Sequence, residues 1–287
     1  MMRGQRKLFF MVTGGIFLFG ALLALIGLIA GAKSDYDSKL RFCEFEANIP
    51  ASNVYNLQID SSLSDISVIS SNDVDKINIV GHNISKDFLD YSTSNNTFRL
   101  KYATKKWYQV IYRPAYSSAE GSIEIYIPAK LSLKDVEIKC TGGNTKINYL
   151  TADRTFIYCG GEENQIKDLN CSYSKLTAAG EYFNGVNINA DAADLKINNG
   201  EAVISNFVSS SLSVINNDGK LDFSGVVTGD SAITSDSDSV FTLYGDPADY
   251  NFSVSDGDVT VNDEDPQENK NAKYDIKLKG DMDIIVE

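Results

Sequence analysis

From about residue 44 to the C-terminus, short segments of the chain alternate between apolar and polar residues. Leu195 and Ile197, for example, precede the triplet Asn198-Asn199-Gly200, and Val203 follows it. A period of two predicts β-strands with one buried face. Asn, Asp and Gly predict the turns between the strands, because these residues adopt positive φ with the least strain. The pattern therefore indicates an all-β fold.

The turns recur at a nearly constant interval. Most are marked by a glycine, and the steps between Gly142 and Gly219 are 18 to 20 residues; the recurring glycines are Gly142, Gly160, Gly180, Gly200, Gly219, Gly257 and Gly280. A fixed period is typical of repeat architectures. It predicts a β-solenoid, in which coils of ~19–20 residues stack at the strand spacing of ~4.8 Å and bury their apolar faces jointly.

Alternating segments joined by Asn-Gly or Asp-Gly are also typical of β-hairpins, so an antiparallel β-sandwich is the alternative fold. A constant turn interval favours the solenoid, because a sandwich does not require one. We expect residues 123–287 to form the regular coils. Residues 44–122 have a less regular period, and we expect them to form an N-terminal cap and irregular coils.

The N-terminal residues have a different pattern. Residues 1–7 form a basic head with Arg3, Arg6 and Lys7, residues 8–32 contain no charge, and residues 33–43 form a linker. An uncharged run of 25 residues is long enough to cross a bilayer as a helix. The positive flank predicts a single-pass protein of the cell membrane, with a cytoplasmic N-terminus and an extracytoplasmic C-terminal domain. A signal peptide cleaved near Ala30-Gly31-Ala32 is the alternative.

Small residues are spaced along one side of this predicted anchor. Such residues let two membrane helices approach closely, so they are candidates for packing against another membrane protein. The candidate packing residues are Gly20, Ala24, Gly27 and Gly31.

The net charge and the cysteine content narrow the range of possible functions. The formal net charge of −13 argues against a nucleic-acid partner. The cysteines Cys43, Cys140, Cys159 and Cys171 show no compact disulfide framework, and with His82 as the only histidine no metal site or cofactor is predicted. In a solenoid, Cys140 and Cys159 would occupy equivalent places on neighbouring coils, and we expect them to be stacked thiols.

The strand pattern resembles the bacterial "putative adhesin" β-strand-repeat domains, a family of cell-surface proteins. The similarity covers roughly residues 50–287 and lies in segments such as Leu57-Gln58-Ile59-Asp60, Asp65-Ile66-Ser67-Val68, Lys76-Ile77-Asn78-Ile79 and Ala193 to Gly200. The resemblance implies a β-solenoid ectodomain in a bacterial envelope, and it carries no catalytic residues. Some members of the family are linked to envelope-stress regulation.

One stretch is both basic and aromatic within this acidic chain. Such a stretch suits an anionic envelope polymer, a lipid headgroup or a protein partner. The alternative is a cap strand with packed aromatic rings and solvated lysines. The candidate ligand-binding residues are Arg99, Lys101, Tyr102, Lys105, Lys106, Trp107, Tyr108, Tyr112, Arg113 and Tyr116.

These features predict a membrane-anchored extracytoplasmic β-repeat protein that acts as a surface binding or adhesion module. The alternatives are an envelope-stress regulatory protein that acts through a membrane partner, and a structural spacer. No nucleophile motif is recognisable, so we do not expect an enzyme. Acidic turns such as Asp256 and Asp258 are expected to be solvated rather than to bind calcium.

Overall fold

The computed structural model describes residues 13, 15–27, 42–103, 121–237 and 239–287. Residues 15–27 are helical. Within the described residues, no helix is both long and apolar enough to cross a bilayer. The predicted anchor, residues 8–32, extends beyond the described helix in both directions.

The rest of the regular structure in the described residues is β-strand, apart from one 3-10 turn at Pro247–Asp249. This confirms the all-β prediction. The strands are β1 (Phe42–Ile49), β2 (Asn56–Ser61), β3 (Asp65–Ser71), β4 (Ile77–Ser85), β5 (Leu89–Ser94), β6 (Thr97–Tyr102), β7 (Ser122–Pro128), β8 (Leu133–Cys140), β9 (Thr145–Asn148), β10 (Thr151–Cys159), β11 (Glu163–Ala178), β12 (Tyr182–Asn198), β13 (Glu201–Asn217), β14 (Lys220–Val227), β15 (Ser231–Ser235), β16 (Ser239–Leu243), β17 (Tyr250–Asp256), β18 (Val259–Val261), β19 (Tyr274–Gly280) and β20 (Met282–Val286).

The three long strands β11, β12 and β13 show how a coil is built. They run parallel, and each residue pairs with the one 19 positions further on, as Glu163 does with Tyr182 and Tyr182 with Glu201. Buried and exposed residues alternate along their length. A constant parallel register of this kind is that of a β-solenoid and not of an antiparallel sandwich.

Each coil contributes to two large sheets. The first sheet has the strand order β1-β4-β7-β3-β9-β11-β12-β13-β14-β16-β20-β18. The second has the order β5-β6-β2-β8-β10-β11-β12-β13-β15-β19-β17. Strands β11 to β13 appear in both sheets because their N-terminal parts lie in the first and their C-terminal parts in the second.

The long strands turn from one sheet to the other at a residue with positive φ. Asp168, Asn187 and Asn206 hold this corner with φ of 57°, 56° and 54°. Asn and Asp tolerate this conformation better than other non-glycine residues. Their side chains also form a ladder, because Asn187 Nδ2 donates to Asp168 Oδ1 at 2.7 Å and Asn206 Nδ2 donates to Asn187 Oδ1 at 3.1 Å.

Inward-pointing side chains stack in columns along the solenoid. The ring centroid of Phe223 lies 5.3 Å from that of Phe207 and 5.5 Å from that of Phe241. Because each coil is one residue layer thick, its apolar side chains are removed from water only by the coils above and below. One such column contains Ile147, Ile166, Gly185, Ile204, Phe223, Phe241 and Ile284.

Close contact between successive turns explains several of the recurring glycines. At Gly180, a Cβ atom would collide with the carbonyl oxygen of Gly161 in the preceding turn, and a Cβ at Gly161 would collide with the carbonyl of Gly143. Glycine is needed at these places because the backbones of stacked turns touch. Among the described glycines, a positive φ is found at Gly200, Gly257 and Gly280.

The coils do not stack in chain order at either end. Near the N-terminal end, β2 lies between β6 and β8, and β3 lies between β7 and β9. Near the C-terminal end, β19 lies between β15 and β17, and β20 lies between β16 and β18. At the C-terminal end, the chain therefore builds the outer strands β17 and β18 first and then inserts β19 and β20 behind them. At the N-terminal end, the inner strands β2 and β3 come first, and β6 and β7 are added outside them.

Antiparallel strands close the N-terminal end of the stack. Strand β1 pairs with β4, β4 pairs with β7, and β5 pairs with β6, all antiparallel. Within the sheets, β1 and β5 are the outermost strands at this end. They cover the edges of the parallel stack that would otherwise expose unpaired backbone groups.

The cysteines agree with the predicted stacking. Cys140 and Cys159 pair in register on β8 and β10, which confirms their equivalent places on neighbouring coils. All four cysteines are free thiols. Burial raises the pKa of the Cys159 thiol to about 12, so this sulfur is protonated and unreactive in the folded protein.

We predict that Gly180→Ala lowers the free energy of unfolding by about 1–3 kcal/mol, because the added methyl group forces two stacked backbones apart. Urea denaturation of the full chain in neutral detergent measures the change. Gly185→Ala is the matched control, since its Cβ would meet the flexible Ile188 Cδ1 at 3.0 Å and Phe183 Cε1 at 3.1 Å rather than backbone. An equal loss at both positions would contradict the explanation from stacked turns.

We also predict an unusual order of amide exchange at the C-terminal end. In a solenoid stacked in chain order, the last residues fray first. Here the amides of β19 and β20 should exchange more slowly than those of β17 and β18, because strands on both sides cover them. Hydrogen exchange followed by mass spectrometry resolves the two segments, and faster exchange in residues 274–286 would disprove this strand order.

Candidate functional site

The outward surfaces of the two sheets differ in charge. Between the edge strands of the first sheet, the paired outward positions carry more carboxylates than bases: Glu124, Asp65, Glu163, Glu201, Asp222 and Asp283 against Lys146, Lys167 and Lys220. Between the edge strands of the second sheet, bases prevail: Arg99, Lys101, Lys139, Arg154, Lys175, Lys196, Lys277 and Lys279 against Asp60, Asp135, Glu137, Asp194 and Asp275. We call these surfaces the acidic face and the basic face.

Four lysines of the basic face lie in one row along the solenoid. We call it the lysine row, and the strand register aligns in it Lys101, Asp60, Lys139, Tyr158, Thr177, Lys196, Ile215, Thr234 and Lys279. Asp60 is the single carboxylate among these positions, and it lies 3.9 Å from Lys101 Nζ. On the two edge strands, the register continues from Lys101 to Asp90 and from Lys279 to Asp256. Strands are ~4.8 Å apart, so Lys139 and Lys196 are separated by about 14 Å along the axis.

Aromatic side chains lie beside the centre of this row. Phe156 and Tyr158 are alternate outward residues of β10, and Tyr173 lies on the neighbouring strand β11. The ring centroids of Phe156 and Tyr173 are 5.9 Å apart, and Phe156 is 37% exposed. We call these three residues the aromatic patch. Phe156 is exposed and the two tyrosines are half-buried on a hydrogen-bonded sheet.

The carboxylates around the aromatic patch have partners, whereas the lysines do not. Each of the three nearest carboxylates is bound by a neighbouring side chain, in the pairs Arg154–Asp135 (2.7 Å), Gln58–Glu137 (3.1 Å) and Tyr173–Asp194 (2.5 Å). No ion pair joins Lys139, Lys175 or Lys196 to any residue that the structure describes. The ammonium groups are therefore free to bind an anion in solution.

The Tyr173–Asp194 contact changes the acidity of the tyrosine. The phenol hydroxyl donates a hydrogen bond to Asp194 Oδ2. This bond favours the neutral phenol over the phenolate and raises the pKa of Tyr173 to about 12. Tyr173 is therefore neutral over the whole physiological pH range, and its ring is held in a fixed place beside Phe156.

Two residues of the predicted ligand-binding stretch lie at the N-terminal end of the basic face. Arg99 and Lys101 are exposed on β6 and line a groove of about 380 Å³. Arg99 Nε donates to Gln58 Oε1 at 2.9 Å, and Arg99 Nη1 donates to Ser94 Oγ at 3.2 Å. The structure therefore places both residues on the same surface as the aromatic patch.

The third described residue of that stretch lies inside the solenoid. Tyr102 is buried, its hydroxyl accepts a hydrogen bond from the Ser85 backbone N–H at 3.0 Å, and its ring packs edge-on against Phe88. Burial raises its pKa. Seven predicted residues lie outside the described parts of the chain: Lys105, Lys106, Trp107, Tyr108, Tyr112, Arg113 and Tyr116.

The candidate helix-packing residues are only partly described. Gly20, Ala24 and Gly27 lie in the described helix, and no other described residue comes within 4 Å of where a Cβ would stand on Gly20 or Gly27. Gly31 lies outside the described residues. Among the described residues, no group of three or more His, Cys, Asp or Glu side chains is placed to hold a metal ion.

The sequence analysis did not identify the aromatic patch or most of the lysine row. Their members are far apart in the chain and no local stretch is rich in them. The signal is the 19-residue interval itself, because Lys139, Tyr158, Thr177 and Lys196 follow one another at that spacing. Outward-facing residues that follow one another at this interval lie in one row along the solenoid.

Parallel coils of constant register, closed by an antiparallel cap, define the chain as a β-solenoid repeat protein. Residues 54–284 match the Toastrack DUF4097 family. The match covers most of the chain, which therefore belongs to this family. The family match confirms the resemblance to the "putative adhesin" β-strand-repeat domains that was inferred from the sequence.

The chain is similar to solved bacterial structures. One is the crystal structure of a "putative adhesin" from Bacteroides fragilis, with 14% identity, coverage of 85% of this chain and 97% of that chain, and a TM-score of 0.52. Another protein of the same description, from Parabacteroides distasonis, has 11% identity, coverage of 85% and 97%, and a TM-score of 0.38. No curated protein matches the chain in sequence.

We predict that Asp194→Asn lowers the pKa of Tyr173 from about 12 towards its ordinary value of 10.0. The folded-state pKa is raised, so the stability from this hydrogen bond is present below pH ~10 and is lost as the pH rises through ~12. The chain has 15 tyrosines, so the measurement is the difference between the variant and wild-type phenolate absorbance titrations. Asp222→Asn on the acidic face is the control, and identical curves for the wild type and Asp194→Asn would disprove the assignment.

Proposed function

We propose that this protein is a membrane-anchored, extracytoplasmic binding module that holds anionic polymers through its basic face. The observation that carries the proposal is the lysine row on a chain whose net charge is −13. Lys101 pairs with Asp60, but Lys139, Lys196 and Lys279 form no ion pair with any residue that the structure describes. Bases scattered at random on such a chain would be neutralised by neighbouring carboxylates. Their alignment over several coils produces a local positive potential that steers and holds an extended anion.

The rigidity of the sheet supports a binding role. The lysines stand on strands that are hydrogen-bonded on both sides, so their Cα positions are fixed before a ligand arrives. A preformed row of charges loses little backbone entropy on binding, which favours affinity for a long ligand. The anion has to be extended, because the charges lie along the solenoid axis.

The anchor supports the location. The uncharged segment 8–32 follows the basic residues Arg3, Arg6 and Lys7, a pattern that holds the N-terminus in the cytoplasm and exports the solenoid. The Bacteroides fragilis protein with the same fold is described as a "putative adhesin", which agrees with a surface-binding role. The role is non-catalytic, since binding through a row of lysines needs no reacting group.

The test uses protoplasts that express the full chain, together with fluorescent dextran sulfate, a polyanion that does not cross the membrane. We expect binding at the cell surface that falls as salt rises, because salt screens exposed charges. The double variant Lys139→Glu/Lys196→Glu should weaken binding by about tenfold or more, since it reverses the centre of the lysine row.

The matched control is Lys146→Glu/Lys167→Glu on the acidic face, which changes the net charge by the same amount. If both double variants lose binding equally, the effect is one of total charge and the basic face is not the site. If dextran sulfate binds only after the cells are permeabilised, the solenoid is not exported.

A further inference from the structure

The aromatic patch adds a second kind of contact to the basic face. We propose that it binds the sugar rings of an acidic polysaccharide, with Phe156 and Tyr158 against the ring faces and the neighbouring lysines on the carboxylates of the polymer. This inference rests on the proposed function, and it names the chemical class of the polymer.

The arrangement of the patch favours a ligand with both rings and negative charges. Along β10, Phe156 and Tyr158 are two residues apart, about 6.6 Å at the rise of a parallel strand. In the strand register, Lys175 is the neighbour of Phe156 and Lys139 is the neighbour of Tyr158. The exposed ring of Phe156 and the half-buried ring of Tyr158 therefore each have a lysine next to them, so a ring face and an anionic substituent of one sugar residue can be bound together.

The charges around the patch are consistent with an anionic ligand. The nearby carboxylates are those of Asp60, Asp135, Glu137 and Asp194. Asp60, the register neighbour of Lys139, lies 3.9 Å from Lys101 Nζ, and each of the other three is bound by a hydrogen bond or ion pair from a neighbouring side chain. The positive charge of Arg154 is already paired with Asp135, at 2.7 Å. The lysine ammonium groups that form no ion pair therefore remain available to attract an anionic ligand. The third ring of the patch, that of Tyr173, is kept neutral by Asp194.

The size of the patch argues against a protein partner. A stable protein interface buries about 800 Å² on each side around a desolvated apolar centre. Among the described residues between the edge strands of this surface, large apolar exposure is confined to Phe156, at 37%, and Ile215, at 42%. These two residues lie on β10 and β13, with the two strands β11 and β12 between them. Single rings separated by lysine, threonine and serine suit the alternating C–H faces and hydroxyl groups of a sugar chain better.

The test compares three polymers on the purified full chain in neutral detergent, by calorimetry or by retardation in a polymer-containing gel. Polygalacturonate has rings and charge, polyglutamate has charge without sugar rings, and dextran has rings without charge. We expect polygalacturonate to bind most tightly. Phe156→Ala/Tyr158→Ala should weaken its binding by about tenfold while leaving polyglutamate binding unchanged.

Two controls keep a loss of folding separate from a loss of binding. Phe156→Tyr retains the ring and should bind polygalacturonate as the wild type does. Tyr149→Ala/Tyr182→Ala removes two exposed rings that lie off the basic face, at 57% and 38% exposure, and should have no effect.

Equal affinity for polygalacturonate and polyglutamate, or equal loss of both in the aromatic variant, would overturn the sugar-ring inference and leave the charge-based function intact. Polygalacturonate binding that survives Lys139→Glu/Lys196→Glu would instead contradict the proposed function. Binding of a protease-sensitive component at the patch, with none of polygalacturonate, would identify a protein partner and also overturn the inference.

Discussion

The backbone hydrogen bonds between coils are the constraint on which the rest of the structure depends. They tie each residue of the central coils to the residue 19 positions away, as Leu176 is tied to Leu195 and Leu195 to Val214. This register decides at once which side chains stack inside, which stand in rows outside, and which turn residues touch. A shift by one residue would exchange the inner and outer faces of a whole coil.

The same constraint explains how much of the fold could be predicted. The alternation of apolar and polar residues and the fixed interval between turns are direct consequences of the register. The all-β solenoid and the alignment of Cys140 with Cys159 can therefore be predicted from the sequence. The exchanged coil order at the two ends does not, because β19 has the same alternating pattern whether it lies inside β17 or outside it. Strand order is decided by which edges are left open, and that is a property of the assembled stack.

Like the fold, the candidate site could be predicted only in part from the sequence. Local composition identified Arg99 and Lys101, which the structure places exposed on the basic face, and also Tyr102, whose ring is buried beneath it. Alternation alone distinguishes these positions, since Arg99 and Lys101 share one side of β6 and Tyr102 the other. Phe156 and Lys175 are 19 residues apart and become neighbours only through the register. A surface built across coils is invisible to any search for a dense local motif.

The insertion of the last coil has a mechanical consequence. Strands β19 and β20 end the chain, yet each is hydrogen-bonded along both edges. A pull on the C-terminus along these strands must shear two rows of hydrogen bonds together, whereas an outermost strand can be peeled away one row at a time. Strands β19 and β20 are thus more resistant to such a force than β17 and β18, although they come later in the sequence.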